Sequence, residues 1–210
     1  MLEIKSVAVG ALQVNCYIIK DNQSGDIAVI DPGDSVTLLK ELIFSNADKI
    51  KYILLTHGHF DHIGFARELK DKTSAKVVIG KDDKSLLSDN QLNLSIPFLG
   101  VTIPQVNADL TLNDGDKLKL GNTDITFIST PGHTKGSGCY IIDNNIFTGD
   151  TLMKLSMGRT DFPTGSDKEM MNSLKRLSQF EGEYNIYPGH GSFSSLSYEK
   201  KCNPYIRSVI

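Results

Sequence analysis

All five histidines of this 210-residue chain lie where a single site could use them: His57, His59, His62, His133 and His190. Three are packed into T-H-G-H-F-D-H together with Asp61. The other two sit in P-G-H-T and Y-P-G-H-G, with Asp150 between them in F-T-G-D-T. Neutral imidazole is the commonest protein ligand for borderline metals near neutral pH. A fold that unites these residues must return to one place from three remote segments, and few chain paths do so.

The first cluster reads H-x-H-x-D-H. On extended backbone, residues two apart point the same way, so His57 and His59 can grip one ion together. A helix starting near Asp61 turns the backbone, so that Asp61 and His62 face a neighbouring ion, about 3.5–4 Å away in sites of this kind. His133 can complete the nitrogen set of the first ion and His190 that of the second. Asp150, with two carboxylate oxygens, can reach both. A water shared by two cations then ionises near neutral pH. Taken singly, His133 or His190 reads as a buried structural histidine and Asp150 as a turn residue. The segment from His57 to His62 is different, because packing has no need for three histidines and an aspartate so close together.

Strand signals dominate the N-terminal part: Leu2 to Val9, Val14 to Lys20 and Asp26 to Asp31, rich in Val and Ile and parted by Gly- and Asn-bearing turns. After Asp31-Pro32-Gly33, Ser35 is placed to cap a helix whose Leu38, Leu39, Leu42 and Ile43 share one face. Tyr52 to Leu55 reads as a short buried strand feeding the histidine run. The stretch from Asn90 to Ala108 has two prolines and no periodicity, so a long surface loop is expected. Gly121-Asn122 and Asn144-Asn145 mark two hairpins. Ser166 with Glu169 forms a capping box for a helix with Met170, Leu174 and Leu177 as its buried stripe. No linker divides the chain, and residues 1–210 read as one domain of two sheets with outer helices.

Hydrophobic residues make up 40% and charged residues 22%, with a net charge of −3. Without a basic excess, phosphate-backbone binding has no footing, so no nucleic-acid partner is expected. No apolar run approaches the roughly 20 residues that a membrane span needs. The N-terminus lacks the pattern of a secretory signal. Cys16, Cys139 and Cys202 are odd in number and widely spaced, which fits free thiols in the cytoplasm rather than a disulfide framework.

In this order, T-H-G-H-F-D-H, P-G-H-T, G-D and P-G-H-G resemble the metallo-β-lactamase superfamily. The resemblance spans nearly the whole chain, from I-D-P-G at Ile30 to Gly33 to N-P-Y at Asn203 to Tyr205. It implies an α+β fold, a four-layer αββα sandwich with the metals at one edge of the paired sheets. G-R-T-D-F-P-T-G-S and E-K-K-C-N-P-Y look most like the glyoxalase II-like hydrolases. The resemblance implies that His57, His59 and His133 hold the first metal, Asp61, His62 and His190 the second, and that Asp150 bridges. The aspartate at 150 speaks against true β-lactamases.

That likeness implies two divalent ions, zinc first, with iron or manganese as alternatives. It also implies a small-molecule thioester such as S-D-lactoylglutathione, attacked by a metal-bridging hydroxide. Asp61 would orient that hydroxide, and Asp31 would support the ligands. A separate C-terminal helical region, the source of much of the glutathione pocket in two-domain glyoxalase II, is not expected, so the chemistry carries over better than the substrate. Lys135 and Arg159 are candidate contacts for an acidic substrate, against solvent exposure for the first and pairing with Asp161 for the second. Cys139 is expected in the core. Persulfide dioxygenases with mononuclear iron, lactonases, phosphodiesterases and an inactive metal-binding scaffold are the alternatives.

Overall fold

The structure is a computed structural model that describes residues 2–210. The first sheet is built from β1 (Leu2–Val9), β2 (Val14–Asp21), β3 (Ile27–Ile30), β4 (Ile50–Leu55), β5 (Lys76–Gly80) and β6 (Leu110–Leu112), in that spatial order. β1, β2 and β3 run antiparallel; β3 to β6 are parallel, as the intervening helices require. The second sheet holds β7 (Lys117–Leu120), β8 (Thr123–Ser129), β9 (Gly138–Ile142) and β10 (Asn145–Gly149). After a small hairpin, β11 (Leu152–Met153) with β12 (Ser156–Met157), it is completed by β13 (Asn185–Pro188) and β14 (Ser194–Ser195). Its order is β14-β13-β10-β9-β8-β7.

Period-two alternation divides the side chains between three cores. Along β2, Tyr17 and Ile19 face the other sheet, while Cys16 and Ile18 face outward under helices. Likewise Leu54 and Val78 point inward, and Ile53, Leu55, Val77 and Ile79 outward. In the second sheet Phe127, Tyr140 and Phe147 meet that inner layer, and Ile128, Cys139 and Ile146 turn toward the helices. Strands buried on both faces read as continuous apolar runs, which is why β3 and β4 look like I-A-V-I and Y-I-L-L. The Tyr140 hydroxyl donates to the Leu55 carbonyl at 3.0 Å and that of Tyr17 to the Pro188 carbonyl at 2.6 Å, so two buried phenols tie sheet to sheet.

Helices α1 (Thr37–Phe44), α2 (Phe60–Ile63), α3 (Ala66–Lys72) and α4 (Ser95–Leu99) belong to the first half of the chain, and α5 (Asp167–Ser178), α6 (Leu196–Cys202) and α7 (Pro204–Arg207) to the second. α1 and α3 pack outside the first sheet and α5 to α7 outside the second, giving the expected αββα layering. Ser166 accepts from the Glu169 amide at 3.3 Å as the N-cap, but its own amide donates to the Gly132 carbonyl rather than to the Glu169 side chain, so the expected capping box is only half formed. Met170, Leu174 and Leu177 are buried as the stripe predicted. Both hairpins form, the first turning at Gly121-Asn122 as expected and the second at Asp143-Asn144, one residue earlier than the expected Asn144-Asn145.

Three local readings change. Leu38 is 55% exposed, because the buried stripe of α1 is only Leu39 and Ile43 with Leu42 partly covered. Val36, not Ser35, occupies the N-cap position of that helix, and its side chain makes no cap bond. The expected loop from Asn90 to Ala108 contains α4, whose Pro97 lies in the first turn, where a missing N–H costs nothing. Asn90 organises this segment: its Oδ1 accepts from the Ser95 hydroxyl and the Ile103 amide.

Candidate metal centre

Each expected ligand leaves the carboxyl end of a strand. Thr56 and His57 follow β4, His133 follows β8, Asp150 follows β10 and His190 follows β13. Both sheets therefore contribute to one edge of the sandwich. Two glycines make the approach possible. A Cβ on Gly33 would fall 1.6 Å from the Asp61 carbonyl, so the I-D-P-G turn lies directly against the histidine run. A Cβ on Gly189 would fall 2.3 Å from Asp150 Oδ1 and 2.8 Å from His62 Cε1.

The seven residues converge. His57, His59 and His133 form one trio, and Asp61, His62 and His190 another, with the candidate ligand atoms of each within 4.8 Å of one another. Asp150 lies between them. Its Oδ1 is 3.5 Å from His62 Nε2, and its Oδ2 is 3.6 Å from His133 Nε2 and 3.7 Å from His190 Nε2. The His57 and His62 ring centroids are 4.1 Å apart, which joins the trios into one cluster.

Hydrogen bonds decide which nitrogen each ring presents. His133 Nδ1 is 2.7 Å from the Arg159 carbonyl and His190 Nδ1 is 3.0 Å from the Leu12 carbonyl. A carbonyl only accepts, so both rings donate from Nδ1 and carry the acceptor lone pair on Nε2. His62 Nδ1 donates to Asp31 Oδ2 at 2.9 Å. The Thr56 hydroxyl donates to that same carboxylate at 2.7 Å and so accepts from His57 Nδ1 at 3.1 Å. Four rings are thereby fixed with Nε2 inward. His59 differs, since its Nδ1 faces His133 Nε2 at 2.8 Å. This is the outer hydrogen bonding that ligating histidines almost always have.

Whether a metal suits these residues is tested by what they leave unpaired. His57 Nε2, His62 Nε2 and Asp150 Oδ1 are buried without a hydrogen-bond partner, as is the remaining His59 nitrogen. Buried polar atoms are rarely orphaned, and several converging in one place call for an ion. Burial, and then the neighbouring rings, push the His57 and His59 pKa values well down, which keeps both neutral and able to ligate. Burial opposes charge on His62 as well, but Asp61, Asp31 and Asp150 outweigh it and push the ring up to about 10. Burial also opposes charge on Asp61, yet His62 and His190 hold its carboxyl well below the usual carboxylate range.

The remaining candidates are placed as follows. Arg159 lines the cleft over the cluster, but its guanidinium is engaged by Asp161 at 2.9 and 2.8 Å and stacks on Phe162 at 4.3 Å. Lys135 is exposed, its ammonium 3.9 Å from Asp82, and it is not brought into the cluster. Cys139 is buried in the outer core with its thiol pushed up to about 11 by burial, against the hydroxyls of Thr130 and Thr151. Asp31 supports His62 as described; its own backbone has φ +50°, a left-handed conformation uncommon outside glycine.

Sequence reasoning missed two supports. Asp83, fully buried, accepts from the Gly58 amide at 2.9 Å, the Gly136 amide at 2.7 Å and the Thr134 hydroxyl at 2.6 Å. It thus straps the His57–His59 loop to the loop that carries His133. Asn15 does the same for His190, donating from Nδ2 to the carbonyls of Pro188 at 3.1 Å and Gly191 at 2.9 Å. A second acidic residue beside Asp82 in G-K-D-D-K was the only local sign of the first.

The chain belongs to the metallo-beta-lactamase superfamily, whose family pattern matches residues 9–190. It is 33% identical to the hydroxyacylglutathione hydrolase GloC of Haemophilus influenzae, over 99% of this chain and 99% of that protein. Among solved structures it is similar to BLEG-1 B3 metallo-beta-lactamase, with a TM-score of 0.90 and 28% identity over 97% of this chain and 99% of that one. It is also similar to TTHA1623 in a di-iron-bound form, with a TM-score of 0.83 and 30% identity over 96% and 99%. Homologues of this kind make the chain a metallohydrolase in the broad sense. No helix among the described residues is long and apolar enough to cross a membrane.

Proposed function

We propose that this protein hydrolyses a thioester at a two-metal centre held by His57, His59 and His133 on one side, Asp61, His62 and His190 on the other, and Asp150 between. The observation that carries the proposal is the position of Asp150, within 3.5–3.7 Å of His62 and His190 on one side and His133 on the other, in a cluster where His57, His59 and His62 Nε2 and Asp150 Oδ1 have no hydrogen-bond partner. The likeness to a hydroxyacylglutathione hydrolase over the whole chain supports the thioester. The nitrogen-rich donor set suits zinc, and the bridging carboxylate also accepts iron or manganese. Bound here, divalent ions would acidify a water and polarise an acyl carbonyl.

Within that chemistry the chain's residues have separate tasks. Asp61 stays ionised, reaches the cleft and lies 3.3 Å from His190 Nε2, so its carboxylate accepts a hydrogen bond from the attacking water and orients it. Asp31 and the Arg159 carbonyl hold His62 and His133 in the orientation that keeps Nε2 available. A thiolate is a good leaving group, so no strong general acid is required, and among the described residues none lines the cleft apart from the cluster itself. Three unpaired cysteines fit a reducing compartment such as the cytoplasm, with no nucleic acid and no membrane among the partners.

The test is a hydrolysis screen over thioesters, lactones, phosphodiesters and a cephalosporin, with metal content measured on the same sample. Thioesters should be turned over fastest, and Asp61→Ala should reduce kcat severely when compared at matched, measured metal content. Thioesterase activity that survives Asp61→Ala would overturn the assigned role, and a fully loaded protein inert to every thioester would overturn the reading. One other reading is oxidation of a persulfide at a mononuclear iron; the iron held by TTHA1623, in a di-iron form, bears only on the capacity of a similar centre to take that metal. Oxygen uptake with glutathione persulfide separates the two.

A further inference from the structure

The cleft over the histidines continues past Leu12, Phe60, Asp61 and Phe98 into a second groove of ≈ 380 Å³ that shares these four residues. That volume falls in the range of small-molecule sites. Away from the cluster its walls are apolar: Val9, Ala11, Leu99 and Ile103. Among the described residues its ionisable lining is Asp34 and Asp61, with no lysine or arginine. Phe98 and Leu99 stand half exposed on α4, a helix with a left-handed residue at each end, Leu94 at φ +70° and Gly100 at φ +71°. Phe98 is braced between Phe60 at 6.2 Å and Phe162 at 5.6 Å, so the wall is built rather than incidental. An apolar surface opening directly onto a reactive centre is a ligand-binding feature.

The charges select the occupant. A peptide thiol with carboxylates, such as glutathione, would meet two aspartates and no cation in this groove. Biological thiol carriers are polar, so the apolar arm of a thioester is its acyl group. Resting on the thioester reading above, we propose that the groove between Leu12 and α4 takes the acyl chain of a hydrophobic acyl thioester, and that chain length is the main determinant of specificity. Burying each methylene equally in the bound and transition states lowers KM and leaves kcat unchanged.

The test uses N-acetylcysteamine thioesters from acetyl to octanoyl on the metal-loaded protein. In parallel, calorimetry is run with the inert S-ethyl to S-octyl thioethers of the same thiol. KM should fall by up to about fourfold per methylene until the groove is full, with kcat nearly flat. The thioether Kd should follow the same slope, and Leu99→Glu should remove most of the preference for octanoyl over acetyl. Hydrolysis with no dependence on chain length would overturn the inference and leave the thioester reading standing. Thioethers that bind more tightly with length to a protein that cleaves no thioester would uphold the apolar groove and refute the thioester reading. A flat Kd series together with a dimer that Leu99→Glu dissociates would assign this face to a second copy of the chain and overturn the proposal.

Discussion

The two halves of the centre are built to different standards of enclosure. His57, His59 and His133 are buried and held by strong outer partners: Thr56, the Arg159 carbonyl and the Asp83 strap. The other half has one buried ring, His62, while the side chains of Asp61 and His190 remain 15% and 24% exposed at the mouth of the cleft. The enclosed half is preorganised by the cores of both sheets. The open half faces the solvent from which water and substrate arrive. The contrast teaches that an edge site can separate holding from reacting, with Asp150 as the element common to both.

Breaking the shared element should have the largest effect. Asp150→Ala is expected to lower metal content in both halves and to cost more than the roughly 10–100-fold in activity that loss of an outer partner costs; elemental analysis with kinetics checks this. Next, His57→Ala and His190→Ala should differ in kind. The first should empty the enclosed half and impair the whole centre, and the second should release one ion and leave the other, as read by metal stoichiometry after dialysis. Equal losses from the two variants would erase the distinction.

Smaller effects sharpen the same contrast. Asp31→Asn should weaken the open half through His62 by roughly 10–100-fold in metal affinity, with a smaller effect on His57 relayed by Thr56, and Asp83→Asn should act on the enclosed half. An asparagine at 83 turns an N–H₂ toward at least one of its three donors, leaving it unsatisfied at a cost of about 1–3 kcal/mol, measurable by denaturant unfolding. The His62 ring, its pKa pushed up to about 10 by Asp61, Asp31 and Asp150 against burial, stabilises the metal-free fold fully below pH ~6.5. That contribution is lost as pH rises through the raised pKa. Ligation needs the neutral ring, so metal uptake at pH 7 should expel a proton, seen as a buffer-dependent heat in calorimetry. At the bottom of the scale, Lys135→Ala should change stability by less than about 0.5 kcal/mol, because its side chain is largely exposed.

The convergence of the five histidines with Asp61 and Asp150 was legible because histidine is scarce here and its spacing carries geometry: H-x-H-x-D-H states how the backbone must turn. The sandwich was legible where strands are buried on both faces, as in I-A-V-I. Asp83 and Asn15 were not, because each serves the backbone of a loop remote in sequence, and any hydrogen-bonding residue at those positions looks alike before folding. The Arg159 contribution was hidden for a further reason: the atom that orients His133 is a carbonyl, which every residue has. Leu38 was misread because its apolar character matches Leu39, and only the position of the first sheet decides which of the two is covered.

The distribution of the seven side chains between the sheets has a kinetic consequence. The first half of the chain contributes His57, His59, Asp61 and His62; the second contributes His133, Asp150 and His190. Neither half alone can assemble either set. Metal capture by this set would therefore report that the sheets have docked, and an ion held there would act as a latch across their seam. Separately expressed halves, 1–112 and 117–210, should stay metal-poor until they find each other.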